Sequence, residues 1–128
     1  MEVLVITKTI ANSVKTLKSM TNNFASYTEP KQYSPDDQLQ YEELLQAIDF
    51  INGGISQIAS GKNELNALIT QAKEDYNNLK SKEERKNFLV EFEKIENETN
   101  FNDVIASATE MIYMLNTRLT EARSNKTD

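Results

Sequence analysis

The sequence predicts an all-α protein, a three-helix bundle with a long antiparallel coiled-coil hairpin arm. Apolar residues recur at alternating steps of three and four through most of the chain, which keeps one stripe of each helix against its neighbours. Only three glycines and two prolines occur among 128 residues, so few positions can interrupt a helix. A chain of this length is expected to form one domain, residues 1–128, with a buried core.

The first helix is predicted over about residues 3–27. Its apolar residues follow strict three-four spacing, and three lysines lie on the opposite side. The stripe consists of Val3, Ile6, Ile10, Ser13, Leu17, Met20, Phe24 and Tyr27, and the lysines are Lys8, Lys15 and Lys18. A short loop around Pro30 follows, so the next helix should run antiparallel to the first.

The second helix is predicted over about residues 35–80 and has the clearest start signal in the chain. Ser34 can cap the free backbone amides, and Pro35 suits the first helical position. Two aspartates follow where the positive end of the helix dipole favours them. The apolar stripe then continues without a change of phase, through Tyr41, Leu44, Ile48, Ile51, Ile55, Ile58, Leu65, Ile69, Ala72, Tyr76 and Leu79.

Three glycines, Gly53, Gly54 and Gly61, fall inside this second helix. Each should weaken it by about 1 kcal/mol relative to alanine. The apolar phase passes through them, which favours one continuous helix, and a break at residues 52–54 is the alternative. Ala47, Gly54 and Gly61 stand one heptad apart, so they should form a shallow groove where another helix approaches closely.

The third helix is predicted over about residues 82–123, with Ser81 and Glu84 as a capping box. Its apolar stripe is Phe88, Phe92, Ile95, Phe101, Ile105, Ala108, Ile112, Leu115 and Leu119. The step from Ile95 to Phe101 is six residues where seven would keep the register. A kink or short break at 96–100 and an unbroken helix are both compatible with this slip.

Folding the second helix back on the third places Lys62, a charged residue on the core stripe, opposite the slip at 96–100. Glu96 and Glu98 are then candidates for a salt bridge with Lys62 that sets the register. The same counting places the first helix beside residues 36–59. The bundle would consist of 3–59 and 101–123, and residues 60–100 would form a two-helix arm.

Two helices cannot fully cover the apolar stripe of such an arm, so the arm is the expected binding surface for a protein partner or a second copy of the chain. The candidate partner-binding residues are Ile69, Tyr76, Leu79, Phe88 and Phe92. Phe50 and Tyr113 lie off the stripes near the bundle end. They are expected to pack against the first helix, with a role as contacts as the alternative.

Composition excludes several kinds of chemistry. The chain has no histidine and no cysteine, so no disulfide, zinc finger or Ser-His or Cys-His nucleophile is possible. No catalytic, cofactor-binding or metal-binding residues are predicted, and an enzyme is not expected. The net charge of −6 argues against nucleic acid as a partner, and no stretch approaches the ~20 apolar residues of a membrane span. The absence of cysteine favours a reducing compartment such as the cytoplasm.

Two segments of the chain carry a resemblance to a known family. Residues 17–24 (Leu-Lys-Ser-Met-Thr-Asn-Asn-Phe) close the first helix, and residues 88–96 (Phe-Leu-Val-Glu-Phe-Glu-Lys-Ile-Glu) are followed by Val-Ile-Ala-Ser-Ala at 104–108. This order resembles the helical N-terminal region of Gag-type polyproteins from BEL/Pao retroelements. The resemblance implies helix-mediated self-association in an assembly.

The leading functional prediction is a non-catalytic interaction or oligomerisation module. Two alternatives stay open. One is a secreted or secretion-associated helical hairpin of the chaperone or adaptor type. The other is a peripheral membrane binder that uses the basic first helix, although three lysines are few for that role.

Overall fold

The computed structural model describes residues 2–32 and 37–127, with side chains as far as residue 124. These residues form an all-α helical bundle without a strand in the ranges described, which confirms the all-α part of the prediction. The helices are α1 (Val3–Phe24), α2 (Gln38–Asn77), α3 (Lys82–Thr99) and α4 (Phe101–Thr127), and a short 3₁₀ helix (Ala25–Thr28) follows α1.

Helix α2 begins at Gln38, and the side chain of Asp37 caps it. The Asp37 carboxylate accepts hydrogen bonds from the amides of Leu39 (3.0 Å) and Gln40 (3.3 Å). The predicted cap, Ser34, lies outside the described residues. The helix then runs for 40 residues through all three glycines, so the prediction of a continuous helix is confirmed.

The predicted third helix is divided in two at Asn100. This residue has left-handed backbone angles (φ 50°, ψ 45°) and separates α3 from α4. Its amide donates to the Glu96 carbonyl at 2.8 Å, and its carbonyl accepts from the Val104 amide at 3.1 Å, so it ends one helix and starts the next. The discontinuity lies within the predicted slip. At the other end of α3, the Ser81 hydroxyl accepts from the amide of Glu84 at 3.3 Å, which confirms Ser81 as the cap; the return bond from the Ser81 amide to the Glu84 side chain, which completes a capping box, does not form between these two described residues.

Replacement of Asn100 should reveal the cost of this left-handed joint. We expect Asn100→Ala to lower the free energy of unfolding by about 1 kcal/mol, because a Cβ disfavours left-handed angles and alanine lacks the short polar side chain that helps asparagine adopt them. Asn100→Gly should stay within about 0.5 kcal/mol of wild type. Urea unfolding followed by circular dichroism measures both, and equal losses in the two variants would contradict this account.

Helix α1 lies antiparallel to α2 along the second half of that helix. Phe24 packs on Gly54, and Leu17 and Met20 pack on Gly61. At the other end of α1, Val3 lines a hollow with residues from the end of α2 and the start of α3. The predicted position of the first helix beside residues 36–59 is therefore wrong.

Glycines explain this placement. Gly54 and Gly61 lack a Cβ on the side of α2 that faces α1, so the side chains of α1 can approach the α2 backbone. Residues 60–100 are accordingly not an arm of two helices, since α1 covers one side of them. The predicted small-residue groove exists, and α1 itself occupies it.

At the opposite end of the molecule, α4 packs against the first half of α2, beside the chain that leaves α1. The ring of Phe50 lies 4.8 Å from that of Phe24 and 4.9 Å from that of Tyr27. Arg118 of α4 donates from Nε to the Thr28 carbonyl at 2.9 Å. Phe50 thus packs as predicted, whereas Tyr113 on α4 is 74% exposed and has its side chain on the surface.

Candidate interaction surface

The five residues predicted to bind a partner belong to the core or pack against it. Ile69 and Phe88 are buried, and Tyr76, Leu79 and Phe92 are partly buried against the core. The three aromatic residues among them form a row of contacting rings with Phe101. The centroid distances are 5.9 Å for Tyr76–Phe88, 6.3 Å for Phe88–Phe92 and 5.7 Å for Phe92–Phe101. Helix α1 supplies cover that the predicted two-helix arm lacked. A charged substitution at Phe92 would therefore disturb packing as well as any contact with a partner.

The predicted register pair does not form among the residues that the structure describes. Lys62 is half-buried and makes no ion pair with Glu96 or Glu98. Glu98 instead lines a hollow between α1 and α3 together with Lys8 and Lys94. The register of α2 against α3 and α4 thus depends on apolar packing and not on this charge pair.

The first turns of α3 expose apolar side chains that the stripe does not include. Leu89 and Val90 are 40% and 56% exposed, because they follow the buried Phe88 directly and so point away from the core. They border an open hollow of ≈ 410 Å³ between α3 and the end of α2. We call this hollow and its lining the α3 surface, which consists of Tyr76, Lys82, Arg85, Lys86, Leu89, Val90 and Glu93.

Positive charge borders the apolar part of the α3 surface on the side of the helix start. Lys82, Arg85 and Lys86 follow three-four spacing, so they share one face of the helix, and Glu93 is the one acid in the lining. Arg85 is held in place because its Nε donates to the Leu79 carbonyl at 2.9 Å across the turn between α2 and α3. The α3 surface therefore has a basic rim on one side of an apolar centre, in a chain whose net charge is −6.

The start of α2 has the opposite character. Leu39 is 72% exposed, and Glu42 and Glu43 follow it at the third and fourth positions on the same face. Glu42 accepts a hydrogen bond from the Gln38 amide group at 3.2 Å, and Glu43 lies 3.6 Å from the exposed Lys31 ammonium. We call Leu39, Glu42 and Glu43 the α2 start. It is an exposed apolar side chain with two carboxylates beside it.

The first turns of α1 expose a second apolar pair at the same end of the molecule as the α3 surface. Leu4 is 65% exposed and Val5 49% exposed. Leu4 lines a hollow of ≈ 590 Å³ together with Leu79 and Phe88. The sequence contained a signal for both pairs, since Leu4, Val5, Leu89 and Val90 are apolar residues that lie off the helical stripes.

The basic face of α1 is less basic in the folded protein than in the sequence. Lys8 shares its hollow with Glu91 and Glu98. Lys18 lines another hollow with Glu98 and Asp103. Acidic side chains of α3 and α4 therefore flank two of the three lysines that would contact an anionic membrane.

No helix is both long and apolar enough to cross a bilayer, as far as the described ranges extend. Within those same ranges, no three acidic side chains are grouped closely enough to hold a metal ion. Comparison with protein-family models, with curated proteins and with solved structures finds no match to this chain.

Proposed function

We propose that the protein is a non-catalytic helical module for protein–protein interaction and oligomerisation, and that it binds through the α3 surface. One observation carries the proposal: Leu89 and Val90 are exposed beside three cationic side chains at one end of the bundle. Apolar side chains that a monomer leaves in water mark sites where another protein excludes that water. The surrounding charges select the partner and its orientation.

The proposal includes a rigid support for this surface. In it, α2 pairs with α4 as a long antiparallel coiled-coil hairpin, and α1, which packs on α2, α3 and α4, completes a three-helix bundle. Burial along α2 supports this view, because Leu44, Ile51, Ile58 and Leu65 are buried at heptad steps. Ile48, three residues before Ile51, and Ile55, four residues after it, are partly buried. Such alternation is typical of helices that pack side by side along their length.

The resemblance to Gag-type polyproteins fits the same proposal. It implies self-association within an assembly, and an exposed surface with an apolar centre is suited to that role. A peripheral membrane binder is less well supported, because Glu91, Glu98 and Asp103 flank Lys8 and Lys18. For a secretion-associated hairpin, no feature of the described residues adds support.

A substitution at Leu89 tests the function. We expect the mass of the wild-type protein, measured by light scattering, to rise with concentration. Leu89→Glu should weaken self-association by about 10-fold or more, since it places a charge at the apolar centre of the contact. Tyr113→Glu is the matched control, because Tyr113 is also exposed but lies on α4, outside the α3 surface.

Circular dichroism should show the same helical content in all three proteins, because both substituted side chains reach solvent. A strict monomer at every concentration would count against oligomerisation. Equal association of wild type and Leu89→Glu would exclude the α3 surface as the contact.

A further inference from the structure

We propose that copies of this chain associate head to tail, with the α2 start of one copy docked on the α3 surface of the next. This inference rests on the proposed function and names the occupant of its binding surface. The α2 start presents Leu39 with Glu42 and Glu43, and the α3 surface presents an apolar hollow with a basic rim. The two patches carry opposite charge, and the exposed pair of Glu43 with Lys31 would open to let Glu43 face the α3 surface.

The two patches complement each other in shape and polarity. Leu39 is 72% exposed on a helix turn and can enter the open hollow beside Tyr76 and Leu89. Carboxylates three and four residues after Leu39 would then face the lysines of the rim. Opposite charges around an apolar contact attract the correct partner and fix its orientation.

Charge also disfavours other ways of pairing two copies. Each copy carries a net charge of −6, so two copies repel each other unless they bring opposite patches together. A symmetric pair through two α3 surfaces would bring together two patches of the same net sign, because each lining contains three bases and one acid. Like charges across a contact are unfavourable, and salt bridges between unlike charges replace them in the head-to-tail arrangement.

The distance between the patches decides what kind of assembly follows. Leu39 is in the first turn of α2, and Lys82 follows the end of this 40-residue helix. At a rise of ~1.5 Å per residue, α2 separates the patches by about 60 Å. A single copy therefore cannot satisfy its own patches. Contact between unlike patches leaves one of each free at the two ends, so further copies can add at either end.

Two complementary variants test the arrangement. The first, Lys86→Gln with Leu89→Gln, removes the α3 surface and keeps the α2 start. The second, Leu39→Gln with Glu42→Gln, does the reverse. All four side chains are exposed, so folding should be unchanged, and circular dichroism and thermal unfolding check this.

Light scattering at low ionic strength should show wild-type masses beyond a dimer, and 0.5 M salt should weaken the association about 10-fold or more. Each variant alone should stay monomeric. An equimolar mixture should form a dimer of one copy of each variant and stop there, because both remaining patches are blocked. Rescue on mixing distinguishes contact between unlike patches from a symmetric contact.

Other outcomes overturn the inference. If the second variant associates as wild type does while the first is monomeric, the α3 surface binds itself; the proposed function then stands and the head-to-tail arrangement fails. A mixture that stays monomeric also overturns the arrangement. If both variants associate like the wild-type protein, the arrangement and the α3 surface are both excluded.

Discussion

Replacement of Phe101 by alanine should lower the free energy of unfolding by about 3–5 kcal/mol. Phe101 is 2% exposed and is the first residue of α4, directly after the joint at Asn100. Its ring also contacts that of Phe92 at a centroid distance of 5.7 Å. The substitution removes buried apolar surface and leaves a cavity where α3, α4 and the core meet. Small domains have a total stability of about 5–15 kcal/mol, so the variant would be close to unfolding.

Tyr113→Ala provides the control for Phe101→Ala. Both remove an aromatic ring from α4, but Tyr113 is 74% exposed. Its loss should change the free energy of unfolding by no more than about 0.5 kcal/mol. Urea unfolding at constant temperature measures both variants. If Phe101→Ala cost less than 1 kcal/mol, the core would not extend across the joint as described.

Adjacent glycines in α2 should respond in opposite directions to alanine. At Gly54 a Cβ would lie 2.5 Å from Cδ1 and 2.8 Å from Cγ of Phe24, so the ring or the helix must move. Phe24 is 4% exposed and contacts Phe50, which limits its movement. We expect Gly54→Ala to cost about 1–3 kcal/mol, the usual range for overpacking. Gly53→Ala should instead stabilise by about 0.5–1 kcal/mol, because nothing lies within 4 Å of that Cβ and alanine favours a helix.

The pair of alanine variants separates packing from helix propensity, since propensity alone would make both stabilising. Thermal unfolding of the two proteins under the same conditions gives the comparison. A second substitution, Phe24→Leu, should recover part of the loss in Gly54→Ala because a smaller side chain leaves room for the Cβ. Stabilisation by both alanines would place α1 elsewhere on α2.

Local signals in the sequence predicted most of the helices and their ends. The spacing of apolar residues depends only on helical geometry, so it located α1, the long α2 and the stripes of α3 and α4. Ser81 was identified from capping chemistry, which also acts over a few residues. The six-residue step before Phe101 indicated a break between 96 and 100. The step did not indicate that Asn100 is the residue with left-handed angles, because those angles depend on side-chain contacts as well as on spacing.

The relative position of α1 could not be read from periodicity. The apolar stripe of α1 indicates which side of α1 is buried. It does not indicate which part of the longer α2 packs against that side. Gly54 and Gly61 indicate which part of α2 contacts α1, because only residues without a Cβ allow α1 to approach this closely. The predicted pairing of Lys62 with Glu96 or Glu98 likewise depended on how the helices are placed along one another, which periodicity does not give. The exposed surface at Leu89 and Val90 was not predicted, because a helical stripe includes only the apolar residues that face the core and these two lie beside it.

The left-handed residue at Asn100 also affects the direction of α4 relative to α3. In one continuous rod, each residue gained or lost rotates everything downstream by about 100°. Here α3 and α4 meet at a left-handed residue, so the direction of α4 also depends on the backbone angles of Asn100. A substitution that changes those angles would therefore turn α4 relative to α3 without any change in length.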